Sequence, residues 1–182
     1  MNRRQRQMCI RDRLRLVGLD TQLLDRRSPQ LSGGQAQRVA LAPGNLWSEC
    51  GRGTNAIGTA LAIDDSCEIE GRQHFLASNQ DLYCAAMPLQ APDGRVAGVL
   101  DVSGPAHFAH TDTLAWVQAA AKQIEYLWVK QSLHPQQWLV SVHPQLGKLD
   151  SAEEGLLVFS DNLLTAANRQ ALIALGLSLI HI

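Results

Sequence analysis

Histidine, cysteine and aromatic side chains that could contact a small ligand occur close together near the middle of the chain. His74 and Phe75 lie in a polar stretch, and Tyr83 and Cys84 begin the apolar segment that follows. A histidine titrates near neutral pH and could contact a carbonyl or anionic ligand. Cys84 could be a redox or ligand-contact thiol, although no neighbouring base that would lower its pKa is evident. Burial as a small apolar side chain is the alternative.

A second group of candidate ligand-binding residues lies upstream. Trp47 and Glu49 put an aromatic ring and a carboxylate just before the segment GTNAIG, where they could hold a small polar ligand. Asn55 could bond a ligand or the backbone of a nearby loop. The alternatives are core packing for Trp47, helix-end electrostatics for Glu49 and helix capping for Asn55. The predicted ligand-binding set is therefore Trp47, Glu49, Asn55, His74, Phe75, Tyr83 and Cys84.

Metal and cofactor chemistry finds little support in the sequence. No two of the four cysteines have CxxC spacing, and no histidine lies at a zinc-finger interval. His107 and His110 are three residues apart but have no visible third ligand. Asp101 is predicted to lie at a rim and tie the following turn, with a role as a ligand acceptor as the alternative. We expect no metal, no cofactor and no catalytic residue.

The elements that must position these residues follow from hydrophobic periodicity and turn residues. The longest expected helix covers residues 111–133, with apolar residues at helical spacing, and it is capped by Thr111 or Asp112. A shorter helix, capped by Thr54, begins at about Asn55. Strands are predicted at 67–70, 82–90 and 95–103, with a loop at 71–81, a strand or linker at 138–143, a hairpin at 155–165 and a helix start at 168–175.

Five sequence blocks between residues 43 and 105 carry a resemblance to a known family. They are PGNLWSE (43–49), GTNAIGTALA (53–62), EGRQHF (70–75), YCAAMPL (83–89) and PDGRVAGVLDVSGP (92–105). Their order resembles the GAF domain of sigma-54-dependent transcriptional activators, of the kind that regulate acetoin catabolism or the dihydroxyacetone kinase operon. Residues 153–177 resemble the beginning of a PAS domain. The resemblance implies an α+β fold: an incomplete GAF-like antiparallel sheet flanked by helices, followed by the beginning of a PAS-like hairpin.

The segment LSGGQAQRVALA (31–42) resembles the signature motif of ABC-transporter ATPases. That resemblance implies that Ser32, Gly33, Gly34 and Gln35 contact nucleotide, because glycine-rich helix N-termini bind anions. No G-x-x-x-x-G-K-[ST] loop occurs in the sequence, so we do not expect ATP hydrolysis. A fragment of an ABC transporter ATP-binding subunit remains the alternative function.

Charge divides the chain near residue 42. Residues 1–42 carry nine arginines and three aspartates, a balance of +6, whereas the remainder carries −7. The segments MCIRDR (8–13) and LSLIHI (177–182) resemble translated adapter sequence, which predicts a chimeric fragment. The expected divisions are an ABC-like segment at 1–42, a partial GAF domain at 43–134, a linker at 135–152, a truncated PAS start at 153–177 and an artefactual tail at 178–182.

The function implied by the GAF resemblance is regulatory rather than enzymatic. A small-molecule effector would bind the GAF domain and control a downstream ATPase absent here. DNA and sigma-54 RNA polymerase would be contacted only through domains missing here, and the parent protein would form a homodimer. A ligand-free interaction module that dimerises through residues 111–133 is a further alternative. No apolar run reaches the ~18 residues of a membrane helix, so we expect a cytoplasmic protein.

Overall fold

A computed structural model describes residues 52–145 and 147–177. Trp47, Glu49, the ABC-like segment with Ser32, Gly33, Gly34 and Gln35, and the tail at 178–182 lie outside these residues. Within them, the elements along the chain are α1 (Ala56–Ile63), β1 (Cys67–Glu70), β2 (Leu82–Gln90), β3 (Val96–Pro105), α2 (Thr113–Gln131), β4 (Trp138–Val142), β5 (Gly155–Ser160), β6 (Leu163–Ala167) and α3 (Arg169–Leu175).

The first sheet has the order β1-β2-β3 with both pairs antiparallel, and a helix covers each face. Because successive side chains of a strand point to opposite faces, β2 divides into two sets. Cys84 and Ala86 pack with Val99 against α1, which contributes small residues such as Ala60. The other set packs against α2 and comprises Tyr83, Ala85, Met87 and Leu89. The model therefore confirms the expected mixed α+β character with an antiparallel sheet.

The second sheet, with the order β4-β5-β6, is also antiparallel. Leu156 and Val158 of β5 pack on Tyr126 and Val129, in the C-terminal half of α2. The N-terminal half of α2 packs on the first sheet, so one helix contributes to the cores of both sheets. The hairpin predicted at 155–165 is present as β5 and β6. The segment 135–152, expected as a linker, contains β4.

The N-cap of α1 differs from the expectation, whereas the N-cap of α2 is one of the two residues expected. Asn55, rather than Thr54, is the N-cap of α1, and its side chain accepts a hydrogen bond from the Gly58 N–H. Asparagine is among the strongest N-cap residues, which explains the choice. Asp112 occupies the N-cap position of α2 without a side-chain bond. None of the helices in the described ranges is long and apolar enough to span a bilayer.

Candidate ligand-binding site

Four polar side chains meet beneath α1, on the face of the first sheet that this helix covers. His74 comes from the loop after β1, Cys84 from β2, and Asp101 and Ser103 from β3. His74 is 2% exposed, Asp101 5% and Cys84 8%, so these three side chains are buried. Buried polar groups are costly unless they bond to one another. We refer to these four residues as the polar cluster.

Backbone geometry places His74 under the sheet. A 3₁₀ turn, Gly71–Gln73, precedes it, and the Glu70 N–H donates to Gln73 Oε1 at 2.7 Å to close that turn. The next residue, Phe75, donates its N–H to the Thr54 carbonyl at 3.1 Å. The loop that carries His74 is therefore fastened to the chain just before α1.

The hydrogen bonds of His74 define its tautomer. Nδ1 lies 3.1 Å from the Gly71 carbonyl oxygen, which only accepts, so the ring proton is on Nδ1. In the neutral ring, Nε2 then accepts from the Cys84 thiol at 3.3 Å. His74 is thus a base in contact with Cys84, which was not evident from the sequence because ten residues separate the two.

Ser103 links Cys84 to Asp101. Its Oγ lies 2.6 Å from Asp101 Oδ2 and 3.2 Å from Cys84 Sγ. A hydroxyl has one proton, so Ser103 donates to the carboxylate when Asp101 is ionised. When Asp101 is protonated, it donates to Ser103, and Ser103 donates to the sulfur. The polar cluster is therefore a continuous hydrogen-bonded chain when Asp101 is protonated, and it is interrupted between Ser103 and Cys84 when Asp101 is ionised.

Burial raises the pKa of two members of the polar cluster, Asp101 and Cys84. It raises the pKa of the Asp101 carboxyl to about 6, and the Ser103 hydrogen bond opposes that rise. It raises the pKa of the Cys84 thiol to about 11, again against the effect of Ser103, and the negative charge of Asp101 adds to the rise. Cys84 is consequently a protonated thiol at neutral pH rather than a nucleophilic thiolate.

An open depression of about 480 Å³ adjoins the polar cluster. It is lined by Glu70, Gly71, Arg72 and Gln73. Gly71 belongs to both features, because its carbonyl oxygen accepts from His74 Nδ1 while its residue lines the depression. The volume falls in the range of small-molecule sites, ~300–1,000 Å³. The depression and the polar cluster therefore meet at Gly71.

The predicted ligand-binding residues within the described ranges do not all converge. Asn55 is buried but serves as a cap: its Oδ1 accepts from the Gly58 N–H, and its amide Nδ2 donates to the Gly53 carbonyl, both at 2.8 Å. Phe75 is 72% exposed. Tyr83 lies on the α2 face of the sheet, away from Cys84, and donates its hydroxyl proton to Glu68 Oε2 at 2.8 Å. Burial raises the pKa of Tyr83, and the hydrogen bond with Glu68 raises it further.

Sequence reasoning missed Ser103 and gave Asp101 a rim position, whereas the model buries Asp101 in the polar cluster. The signal was present in the hairpin: Cys84 pairs with Ser103, and Ala86 with Asp101. Directly paired residues share one face of a sheet. Among the described residues, no group of three or more histidine, cysteine, aspartate or glutamate side chains is placed to hold a metal ion.

The first sheet is thus an antiparallel sheet between two helices, with a polar cluster beneath one of them. The family model for the GAF domain matches residues 10–127, more than half of the chain, and the chain belongs to this family. The matched range includes part of the ABC-like segment.

The chain also resembles transcriptional regulators. It is 40% identical over 91 residues to the acetoin dehydrogenase operon transcriptional activator AcoR of Bacillus subtilis, covering 50% of this chain and 15% of that protein. It is 35% identical over 137 residues to a signal-transduction and transcriptional-control protein of Clostridium beijerinckii, covering 74% and 21%. The chain thus spans about a fifth or less of these relatives. They give no support to the ABC transporter alternative.

Among solved structures, the chain is similar to one described as the E. coli DhaR(N)–DhaL complex. The TM-score is 0.48 at 18% sequence identity, and the match covers 76% of this chain and 47% of that one.

Proposed function

We propose that this chain is the small-molecule-sensing part of a sigma-54-dependent transcriptional activator, and that its effector binds beneath α1. The observation that carries the proposal is the polar cluster, in which His74, Cys84, Ser103 and Asp101, three of them buried, form a polar chain with contacts of 3.3, 3.2 and 2.6 Å. Such a chain serves no packing purpose that apolar side chains would not serve better. Its position next to an open depression supports a role in binding.

The chemistry of the polar cluster favours a small, uncharged effector with hydroxyl or carbonyl groups. The cluster offers both donors and acceptors, and the Asp101 carboxyl, with a pKa of about 6, carries negative charge at neutral pH. An anionic effector would be repelled at that position. A hydroxyl or carbonyl group could replace one link of the chain and leave no buried group unbonded.

The proposal extends to the whole regulator. The effector would control an ATPase domain outside these 182 residues, and other domains would contact DNA and sigma-54 RNA polymerase. The hairpin of β5 and β6 would be the beginning of a PAS domain. The parent protein would be a cytoplasmic homodimer, and this part of it would have no enzymatic activity. The relative AcoR is named as a transcriptional activator, and this supports the extension.

A thermal-shift panel of small diols, hydroxyketones, ketones and acids tests the proposal. Acetoin belongs in it because the relative AcoR is named for the acetoin dehydrogenase operon. A ligand at 100 times its Kd stabilises by about 2.7 kcal/mol. At roughly 2–4 °C per kcal/mol for a chain of this size, the expected rise in Tm is about 5–10 °C.

Two variants make the panel specific. His74→Gln removes the imidazole of the polar cluster, whereas His134→Gln changes an exposed histidine after α2 and serves as the matched control. The rise in Tm should be lost in the first variant and kept in the second. Absence of stabilisation by every compound would favour the ligand-free interaction module. Equal stabilisation of both variants would show that the compound binds elsewhere than at the polar cluster.

A further inference from the structure

A partly buried arginine joins the two sheets of this protein at the end of α1 that lies away from His74. Arg169, the first residue of α3, belongs to the second sheet's side of the molecule, yet its side chain is only 13% exposed. Nη1 donates to the Asp64 carbonyl at 3.2 Å, and Nη2 to the Pro88 carbonyl at 3.5 Å. Nε lies 3.8 Å from Glu125 Oε1. We refer to Arg169, Asp64, Pro88 and Glu125 as the Arg169 junction.

Each partner of Arg169 belongs to a different element of the GAF sheet and its helices. Asp64 is the C-cap of α1, Pro88 lies in β2 and Glu125 lies in α2. Glu125 is 3% exposed, and its Oε1 already accepts from the Gln90 N–H at 2.8 Å. A guanidinium offers five donors in a fixed plane, so one side chain can hold three elements at once. The Arg169 junction therefore fixes α3 relative to α1, β2 and α2.

The bonding at the Arg169 junction is unfinished within the described residues. Arg169 Nε and Gln90 Oε1 are both buried and make no hydrogen bond there. The distance from Nε to Glu125 Oε1 would have to shorten by about 1 Å to become a hydrogen bond. A small displacement of α1 or α3 would thus exchange one set of contacts for another. The contacts of the Arg169 junction should therefore change more readily when α1 or α3 moves than the contacts of a fully hydrogen-bonded group would.

The two ends of α1 connect this junction to the candidate site. At the N-terminal end, the Thr54 carbonyl accepts from the Phe75 N–H, next to His74. At the C-terminal end, Asp64 contacts Arg169 by its carbonyl at 3.2 Å and by its carboxylate at 3.8 Å. The helix between them has eight residues and is about 12 Å long. A helix of that length moves as a rigid body, so a shift at one end reaches the other.

We propose that Arg169 is a positioning residue that couples α1 to the second sheet, so that displacement of α1 at its His74 end alters the stability of β5, β6 and α3. Its use in signalling rests on the proposed sensing function, whereas the mechanical coupling does not. The coupling can therefore be tested without any effector.

Hydrogen exchange of the full 182-residue chain, followed by mass spectrometry, measures the coupling. Asn55→Ala loosens the N-terminus of α1 beside the candidate site, and the amides of residues 155–177 report on the second sheet. In the otherwise unchanged chain, Asn55→Ala should raise the hydrogen-exchange rate of these amides about fivefold. Fivefold is the factor expected for the loss of an N-cap. With Arg169→Gln also present, Asn55→Ala should add little further exchange in that segment.

The control is Arg95→Gln, which removes an exposed arginine that pairs with Asp93 at the surface. In that background the fivefold effect should persist. An effect of Asn55→Ala that is the same with and without Arg169→Gln would overturn the proposal, as would no effect in either background. If Arg169→Gln fails to fold, Arg169→Lys, which keeps the charge but loses the planar fork that reaches three elements, replaces it, and the same comparison decides. Because no effector is added, failure here leaves the proposed sensing function standing.

Discussion

The buried carboxyl of Asp101 should make the protein less stable as the pH rises from about 4 to about 7. Burial raises its pKa from 3.8 to about 6, so between these values the folded state holds a proton that the unfolded state has released. The stability from this proton is fully present below pH 3.8 and is lost as the pH passes about 6. At 1.36 kcal/mol per pH unit, that interval corresponds to a loss of about 3 kcal/mol.

Asp101→Asn tests this reasoning, because the amide keeps one donor and one acceptor but does not titrate. Urea unfolding at pH 4 to 7.5 gives the free energy of unfolding at each pH. The variant should gain about 3 kcal/mol relative to the unaltered chain across the range. The control is Asp161→Asn, in the exposed turn between β5 and β6, where a φ of 51° suits asparagine. The free energy of unfolding of Asp161→Asn should have the same pH dependence as that of the unaltered chain.

Ser103→Ala provides a second perturbation of the same carboxyl. The Ser103 hydrogen bond lowers the pKa of Asp101, so its removal should move the stability loss to higher pH. Parallel pH profiles for the unaltered chain and Asp101→Asn would show that the carboxyl has no raised pKa. The account of the polar cluster would then be wrong.

Three further perturbations follow from the same structure. At pH 8 the Cys84 thiol should react with iodoacetamide about 100-fold more slowly in the folded chain than in the urea-unfolded chain, because burial raises its pKa from 9.0 to about 11. Peptide mapping measures the two rates, and equal rates would contradict the burial of Cys84. Leu156→Ala should cost about 2–5 kcal/mol in urea unfolding, since Leu156 is fully buried against α2, and a cost below about 1 would deny that contact. Asn168→Ala should lower the free energy of unfolding by about 2–4 kcal/mol, because it removes the cap of α3 and leaves the buried Leu156 N–H without its acceptor. A decrease confined to the helix signal in circular dichroism would show that only capping matters.

The first sheet was predictable from local patterns. The strand predicted at 82–90 matches β2, and the turn at 91–94 is closed by the Gly94 N–H donating to the Ala91 carbonyl at 2.8 Å. An apolar run followed by a Pro-Asp-Gly turn and a valine-rich return admits little besides an antiparallel hairpin. The strand β1 was predicted at its observed bounds from the alternation of its residues.

The candidate site was predictable only in part. Strand alternation alone separates Tyr83 from Cys84, so their opposite faces could have been predicted. The partners of Cys84 on β3 were harder to find, because the register shifts at Leu89 and Gln90. One residue of shift exchanges the two faces of a strand, and a sequence does not reveal where a bulge falls. The contact of His74 with Cys84 depends on the path of a loop, which periodicity does not describe.

The long helix shows how a second partner alters a hydrophobic stripe. The sequence predicted one apolar face, with Leu114, Val117, Ala121, Ile124 and Trp128 at helical spacing. The model buries the first part of that face against the first sheet, but near its end Tyr126 and Val129 turn towards β5 instead. A helix that serves two sheets buries two stripes, and the buried Glu125 lies where they meet. From the sequence alone, a glutamate at that position would be expected to face solvent. Its burial is explained by its contacts with Gln90 and Arg169.

The division of polar and apolar groups between the two faces of the first sheet determines which helix can respond to a ligand. The α2 face is filled by Tyr83, Met87 and Leu89 packed on the helix, and close packing of this kind resists displacement. The α1 face contains small residues and hydrogen-bonded groups whose proton directions can change. Hydrogen bonds can be exchanged for others at little net cost, whereas a cavity in an apolar core is not compensated. A ligand that entered the polar cluster would therefore move α1 sooner than α2, and the Arg169 junction lies at the end of that helix.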